Sequence, residues 1–265
     1  MSKEQKDFFQ NIKSDQSTLP QASNKIEFWI KAAEQGDAEA QYNLGVMYQN
    51  GDVVDKDLQK AFEFYGKAAE QGVARAQRNL GLMYINGEGV DQDAKKALEF
   101  WTKAAEQGDA EAQDNLGLMY YKGEGVSKDD ERAVELWAKA AEQGLASAQR
   151  YLGLMYASGD EVSKDTEKAL EFLTKAAEQG DAVAQYFLGA MYYKGESVVK
   201  DIEKALDLYT KAADQGITEA QYNLGIMYQK GEGVTQDQMK SFDFYMRAAK
   251  QGHPDALNIL KQLAS

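Results

Sequence analysis

The pentad Ala-Ala-x-Gln-Gly returns every 36 residues, and no other feature constrains the fold so tightly. It stands at Ala32-Ala33-Glu34-Gln35-Gly36 and begins again at Ala68, Ala104, Ala140, Ala176, Ala212 and Ala248. Between these tails a Leu-Gly-x-Met-Tyr core keeps the same step without insertion, at Leu44-Gly45, Leu80-Gly81, Leu116-Gly117, Leu152-Gly153, Leu188-Gly189 and Leu224-Gly225. Self-similarity at this period signals a stacked array of supersecondary units. Each unit contacts its neighbours, so the array grows linearly as one extended domain. Length alone would suggest two globular domains.

One unit, 37–72, shows the physics. Ala40, Leu44 and Tyr48 recur at the spacing of one helical face. Gly51 stops this first helix, and a loop follows with Val54 as its apolar anchor. Asp57 recurs in phase as Asp93, Asp129, Asp165, Asp201 and Asp237, where a carboxylate accepts from the free N–H groups of a helix start. The second helix runs to about Gln71, packs through Ala61, Phe64, Tyr65, Ala68 and Ala69, and ends at a left-handed Gly72. A glycine inside a helix costs about 1 kcal/mol against alanine. Gly45 and its equivalents therefore imply a close helix approach that offsets the cost. Six such units span 37–72, 73–108, 109–144, 145–180, 181–216 and 217–252. Residues 1–36 read as a degenerate capping unit, with Phe8, Ile12, Phe28 and Trp29 in register with Leu44, Tyr48, Phe64 and Tyr65. Residues 253–265 read as a capping helix that Pro254 opens.

The third unit displays the whole pattern: Ala112, Leu116-Gly117, Tyr120, Gly123, Gly125-Val126, Asp129, Ala133 and Lys139-Ala-Ala-Glu-Gln-Gly144. It resembles the SEL-one-like repeat (SLR) family, relatives of the tetratricopeptide repeat. The resemblance implies an all-α fold, a right-handed superhelix of antiparallel helix pairs. It also implies an adaptor role in protein complexes, as in many bacterial members. Some units depart from the pattern: the second loop glycine, present as Gly89, Gly125 and Gly233, is Val53, Glu161 and Ser197 elsewhere. One branch of the family carries a cysteine pair in each unit and resembles penicillin-binding or β-lactamase-like proteins. This chain has no cysteine, which argues against that branch.

The absence of cysteine also removes disulfides, thiolate zinc sites and a cysteine nucleophile. A net charge of −13 opposes phosphate backbones, so no nucleic-acid partner is expected. The same field favours solubility or a basic protein partner. No run reaches the ~18 apolar residues of a membrane helix, and the polar start lacks a secretory h-region. The expectation is a cytoplasmic monomer without cofactor or metal. The methionine ladder Met47, Met83, Met119, Met155, Met191 and Met227 supplies one thioether per unit, which suits packing rather than a metal box. Gly87-Glu88-Gly89 lacks the strand and the third glycine of a phosphate loop. The acidic loops lack calcium-loop spacing. His253, the only histidine, reads as a surface or cap residue.

In the related tetratricopeptide geometry, the first helix of each pair lines the inner face. Aligning the cores puts residues 39, 42, 43, 46, 49 and 50 of the first unit there. Position 42 reads Tyr42, Arg78, Asp114, Arg150, Tyr186, Tyr222, and position 43 reads Asn43, Asn79, Asn115, Tyr151, Phe187, Asn223. Position 49 contributes Tyr121 and Tyr193. The fourth and fifth units stand out because Asn gives way to Tyr151 and Phe187. Tyr and Arg are enriched at interface hot spots. One reading is an aromatic groove that clamps a peptide or protein loop; the other is sideways packing on neighbouring helices. The residue after each tail glycine alternates as Asp37, Val73, Asp109, Leu145, Asp181, Ile217, a two-unit rhythm with no function attached.

The expected function is a non-enzymatic adaptor that holds a protein or peptide. One alternative is an immunity or inhibitor protein that masks a basic toxin. Another is a carboxylate-based hydrolase, which requires a carboxyl pair about 5–9.5 Å apart in a closed pocket.

Overall fold

The computed structural model describes residues 19–263 apart from 52, 160, 161 and 197, with side chains from residue 26 onward. The register of Phe8 and Ile12 and the loop residues Glu161 and Ser197 lie outside the described residues. Among the described residues every regular element is an α-helix. The chain divides after Asp129 into two compact units.

The first unit holds α1 (Leu19–Glu34), α2 (Ala38–Asn50), α3 (Leu58–Glu70), α4 (Ala74–Asn86), α5 (Ala94–Glu106) and α6 (Ala110–Lys122), each packed on the next. The second holds α7 (Asp130–Glu142), α8 (Ala146–Ser158), α9 (Thr166–Glu178), α10 (Ala182–Lys194), α11 (Ile202–Asp214), α12 (Thr218–Lys230), α13 (Gln238–Lys250) and α14 (Pro254–Leu263), again packed in sequence. Helix α8 also touches α10, its counterpart one repeat on. Each unit is a solenoid of helical hairpins, as the 36-residue period requires.

The sequence signals terminate the helices as expected. Gly51 takes φ +74° and donates its N–H to Met47 O, closing α2; Gly72, at φ +88°, follows the end of α3. The Asp57 carboxylate accepts from Lys60 N at 3.0 Å and caps α3. That bond to the charged form, chiefly, holds the Asp57 carboxyl below its ordinary pKa.

Inside the hairpins that lie within one unit the two helices approach at the core glycine. A Cβ placed on Gly45 would lie 2.5 Å from Cδ1 of Tyr65, and one on Gly225 would lie 2.5 Å from Cε1 of Tyr245. Both rings are fully buried. Around Tyr65 the core gathers Ala61, Ala68, Ala76, Leu80 and Met83. Met47, Met83, Met119, Met155 and Met227 are buried in these cores.

Buried glutamines join successive hairpins. Gln41 donates to Ala33 O of α1 at 3.1 Å and accepts from Gln71 Nε2 at 2.7 Å. The same pairing recurs as Gln77–Gln107, Gln149–Gln179, Gln185–Gln215 and Gln221–Gln251. The first glutamine of each pair is at most 5% exposed. A buried amide left without partners costs about 1–3 kcal/mol, so each bridge is strongly specified.

The alternation after the tail glycine has a physical account. Asp37, Asp109 and Asp181 cap α2, α6 and α10 by accepting from Ala40, Ala112 and Ala184 N–H groups. Val73, Leu145 and Ile217 make no such bond. Val73 and Ile217 instead pack against the hydrophobic core. His253 occupies the same phase before α14, where Nδ1 accepts from Ala256 N at 3.4 Å. The only histidine is thus a cap residue.

Gly45→Ala should lower stability by about 1–3 kcal/mol through overpacking. Gly66→Ala, where an added Cβ meets open space, should raise it by up to about 1 kcal/mol; urea denaturation compares the two. For Asp57 the folded pKa is depressed, so its contribution is complete above the unfolded value and is lost as pH falls through the folded one. Asp57→Asn, an equal cap, should remove that part of the acid dependence in melting curves taken across it.

Candidate functional site

Two different structures occupy the inner positions of the first helices. In the first unit they are filled by the chain itself. Tyr42 and Asn43 are buried, and the Tyr42 ring lies against Tyr65 at 5.8 Å with the Arg75 guanidinium 4.5 Å above it. Arg78 pairs with Asp109 and Glu111, each at 3.2 Å. Asn79 is half-buried beside the Tyr65 hydroxyl, which donates to Gln49 Oε1 at 2.7 Å. Burial pushes that hydroxyl's pKa well up, and the Asn79 amide opposes the rise. Asp114, Asn115 and Tyr121 are half-buried on α6, with Lys128 over the Tyr121 ring.

The second unit begins in the same manner. Arg150 pairs with Asp181 at 3.0 Å and covers the face of Tyr151, which stacks on Trp137 at 4.5 Å. Tyr222 stacks on His253 at 4.2 Å and tilts against Tyr245.

Between these two places the filling stops. A cavity of about 690 Å³ opens across α8, α10 and α12. Tyr186, Phe187, Tyr193 and Tyr209 form its aromatic lining, and Leu154, Leu173 and Ile226 give apolar surface. Its polar lining includes Ser158, Lys194, Glu196 and Asn223. Phe187 is 39% exposed, one of few large apolar side chains so presented. The structure therefore brings Tyr186, Phe187, Tyr193 and Asn223 together. Tyr42, Asn43, Arg78, Asn79, Asp114, Asn115, Tyr121, Arg150, Tyr151 and Tyr222 lie outside this lining.

Three shortened side chains make the room. The position of Tyr65 is aromatic as Trp101, Trp137, Tyr209 and Tyr245, but it is Leu173 in the fourth repeat. The position of Val46 is Leu82, Leu118, Leu154 and Ile226, but Ala190 in the fifth. The position of Tyr193 is Ala157 one repeat earlier. Leu173 and Phe187 stand where Tyr65 and Asn79, and Tyr209 and Asn223, stand in other repeats. Leucine offers no hydroxyl to a polar neighbour, and an apolar ring occupies the asparagine position beside it.

Polar groups hold the aromatic lining. The Tyr193 hydroxyl donates to the Glu232 carboxylate. This bond, assisted by burial and by the carboxylate charge, lifts its pKa to about 12. The Asn223 amide lies near the hydroxyls of both Tyr186 and Tyr209 and opposes the rise of their pKa. Burial chiefly, then the Glu219 carboxylate, raises the Tyr186 pKa. These tyrosines stay neutral near pH 7 and keep their donors.

Among the described residues no three His, Asp or Glu side chains gather to hold a metal ion. No described helix is long and apolar enough to cross a membrane.

Stacked helical hairpins of constant period define an all-α repeat protein. The family model for the Sel1 repeat matches residues 26–37, 38–73, 74–109, 110–145, 146–181, 182–217 and 218–253. The chain belongs to the Sel1 repeat family, whose members serve in general as protein-interaction scaffolds. Its hairpins superpose on a Sel1 repeat protein from Oxalobacter formigenes with 37% identity, 87% of this chain and 95% of that one, at a TM-score of 0.79. A protective antigen with an SLR fold, present in uropathogenic Escherichia coli strains, is 35% identical over 90% of this chain and 59% of its own, at a TM-score of 0.65. An immunity protein from Pseudomonas aeruginosa is 26% identical over 80% of this chain and 81% of its own, at a TM-score of 0.50. A search of curated proteins returned no match.

The Leu173–Phe187 pairing predicts a double-mutant cycle. Leu173→Tyr with Phe187→Asn should install the Tyr–Asn pair that stands at Tyr65–Asn79 and Tyr209–Asn223. It should show a favourable coupling of about 0.5–3 kcal/mol. Urea unfolding of the four proteins measures it, and simple additivity would reject the pairing.

Proposed function

We propose that this chain is a non-enzymatic interaction module and that the trough over α8, α10 and α12 is where it holds a segment of another protein. The carrying observation is the cavity of about 690 Å³ with Tyr186, Phe187 and Tyr193 in its lining. Aromatic side chains supply large contact area at low entropic cost and dominate interface energetics. Binding pockets of this size are apolar with a few placed polar groups, as Ser158 and Asn223 are here. The helices that line it are held by buried bridges, so little ordering is left to oppose binding. An extended segment, rather than a globular face, suits a trough that crosses three parallel first helices.

Ala190→Leu tests this reading directly. Leucine stands at the same position in the second, third and fourth repeats, so the helix accommodates it. The variant should keep its helical circular dichroism and melting temperature but lose the partner retained by wild type on affinity capture. The pair Tyr151→Ala with Phe187→Ala separates the contributions: Tyr151 lies under Arg150 on Trp137, so its loss should cost stability, whereas Phe187→Ala alone should cost binding.

A second reading is favoured by the likeness to an immunity protein from Pseudomonas aeruginosa and by the charge of −13. In that case the partner is a basic effector protein, and association slows steeply as salt rises. An association rate unchanged between low and high salt would exclude it.

A further inference from the structure

The chain supplies its own template for what the trough recognises. Position 39 of the repeat carries glutamate in three repeats, as Glu39, Glu111 and Glu219. Two of these are met by an arginine of the same chain. Arg75 Nη2 lies 2.9 Å from both carboxylate oxygens of Glu39, and its guanidinium sits 4.5 Å above the Tyr42 ring. Arg78 Nη1 lies 3.2 Å from Glu111. Arg78 precedes Glu111 by the same step that separates Tyr186 from Glu219. The fifth repeat therefore has a tyrosine ring where the second has an arginine, and no cation pairs with Glu219 among the described residues. The Glu219 carboxylate is exposed and close enough to Tyr186 to act on its hydroxyl. Tyr186 itself lines the trough.

We propose that the trough takes a peptide segment in which an arginine, stacked on Tyr186 and paired with Glu219, lies next to a bulky apolar side chain seated over Leu173 and Ala190. This inference rests on the reading of the trough as a peptide site and names its partner's chemistry. A guest guanidinium over Tyr186 would combine two contacts the chain makes separately, the stacking of Arg75 on Tyr42 and the pairing of Arg78 with Glu111 of the next first helix. Planar arginine stacks on an aromatic face while its N–H groups meet a carboxylate; lysine offers a point charge without the plane. The apolar floor left by Leu173 and Ala190 fixes the neighbouring residue. Other cations at the mouth are already engaged: Lys194 lies 3.7 Å from Glu196, and Lys230 lies 3.7 Å from Glu232. Glu219 alone among these carboxylates is left for a guest.

A phage-displayed heptapeptide library panned on the full chain, with Ala190→Leu protein as counter-selection, tests both layers. Enriched peptides should carry an arginine adjacent to Leu, Met or Phe. For a synthetic peptide of the enriched sequence, Glu219→Gln should weaken binding about tenfold, as loss of a charge-assisted pair does. Exchange of the peptide arginine for lysine should weaken it similarly, and Ala190→Leu should abolish binding. Melting curves of both variants, expected to match wild type, run alongside. Enriched sequences without arginine, or an affinity indifferent to Glu219→Gln, overturn the arginine assignment even if Ala190→Leu still blocks. Binding that survives Ala190→Leu overturns the trough itself. A library that yields nothing specific to wild type overturns both.

Discussion

The distance between the two helices of a hairpin governs everything else in this chain. At the core glycines whose hairpin lies within one unit the first helix has no Cβ, and the second helix lays a side chain directly on the bare backbone. Gly45 under Tyr65, Gly153 under Leu173 and Gly225 under Tyr245 are the same contact with different occupants. Because the backbones are held this closely, the occupant's size decides whether the inner wall beyond it is filled or hollow. Tyrosine fills it, and the hydroxyls of Tyr65 and Tyr245 donate to Gln49 and Gln229. Leucine leaves it short. The trough is thus a local shortfall in an otherwise uniform packing rule.

The periodic part of the structure was legible in the sequence because stacking imposes one solution on every repeat. Helix starts at Asp57 and its equivalents, stops at Gly51 and Gly72, and the close approach at Gly45 all follow from local backbone chemistry. The glutamine bridges were harder to see. Gln41 and Gln71 each look like ordinary polar residues, one in a helix and one at a helix end. Only the hairpin brings the two amides to 2.7 Å. A glutamine at a fixed place in a face otherwise made of Ala, Leu and Gly was the available signal.

The inner face was legible in part. Counting along the first helix picked out rows of which Tyr186, Phe187, Tyr193 and Asn223 line the trough, and the replacement of asparagine by Phe187 marked the fifth repeat. The same counting could not separate residues that line open space from residues already satisfied. Arg78 and Arg150 look like anchors for a guest, yet Asp109 and Asp181 hold them. Those carboxylates are 31 residues away in the chain. The alternating residue after the tail glycine carried that information, since the aspartates that cap α6 and α10 are the ones that receive the arginines. The hollow itself depends on what is missing at Ala157, Leu173 and Ala190, and small residues announce themselves only against the repeat average.

The arginine that precedes each such aspartate gives the array a grammar with consequences for how it can lengthen. Arg78 belongs to the second repeat and Asp109 to the third; Arg150 belongs to the fourth and Asp181 to the fifth. Copying the second or the fourth hairpin alone would set its arginine against Val73 or Leu145 and strand the charge. Copying two adjacent hairpins preserves every pairing, so the double hairpin is the unit that can be added at any point of the array with each arginine still met.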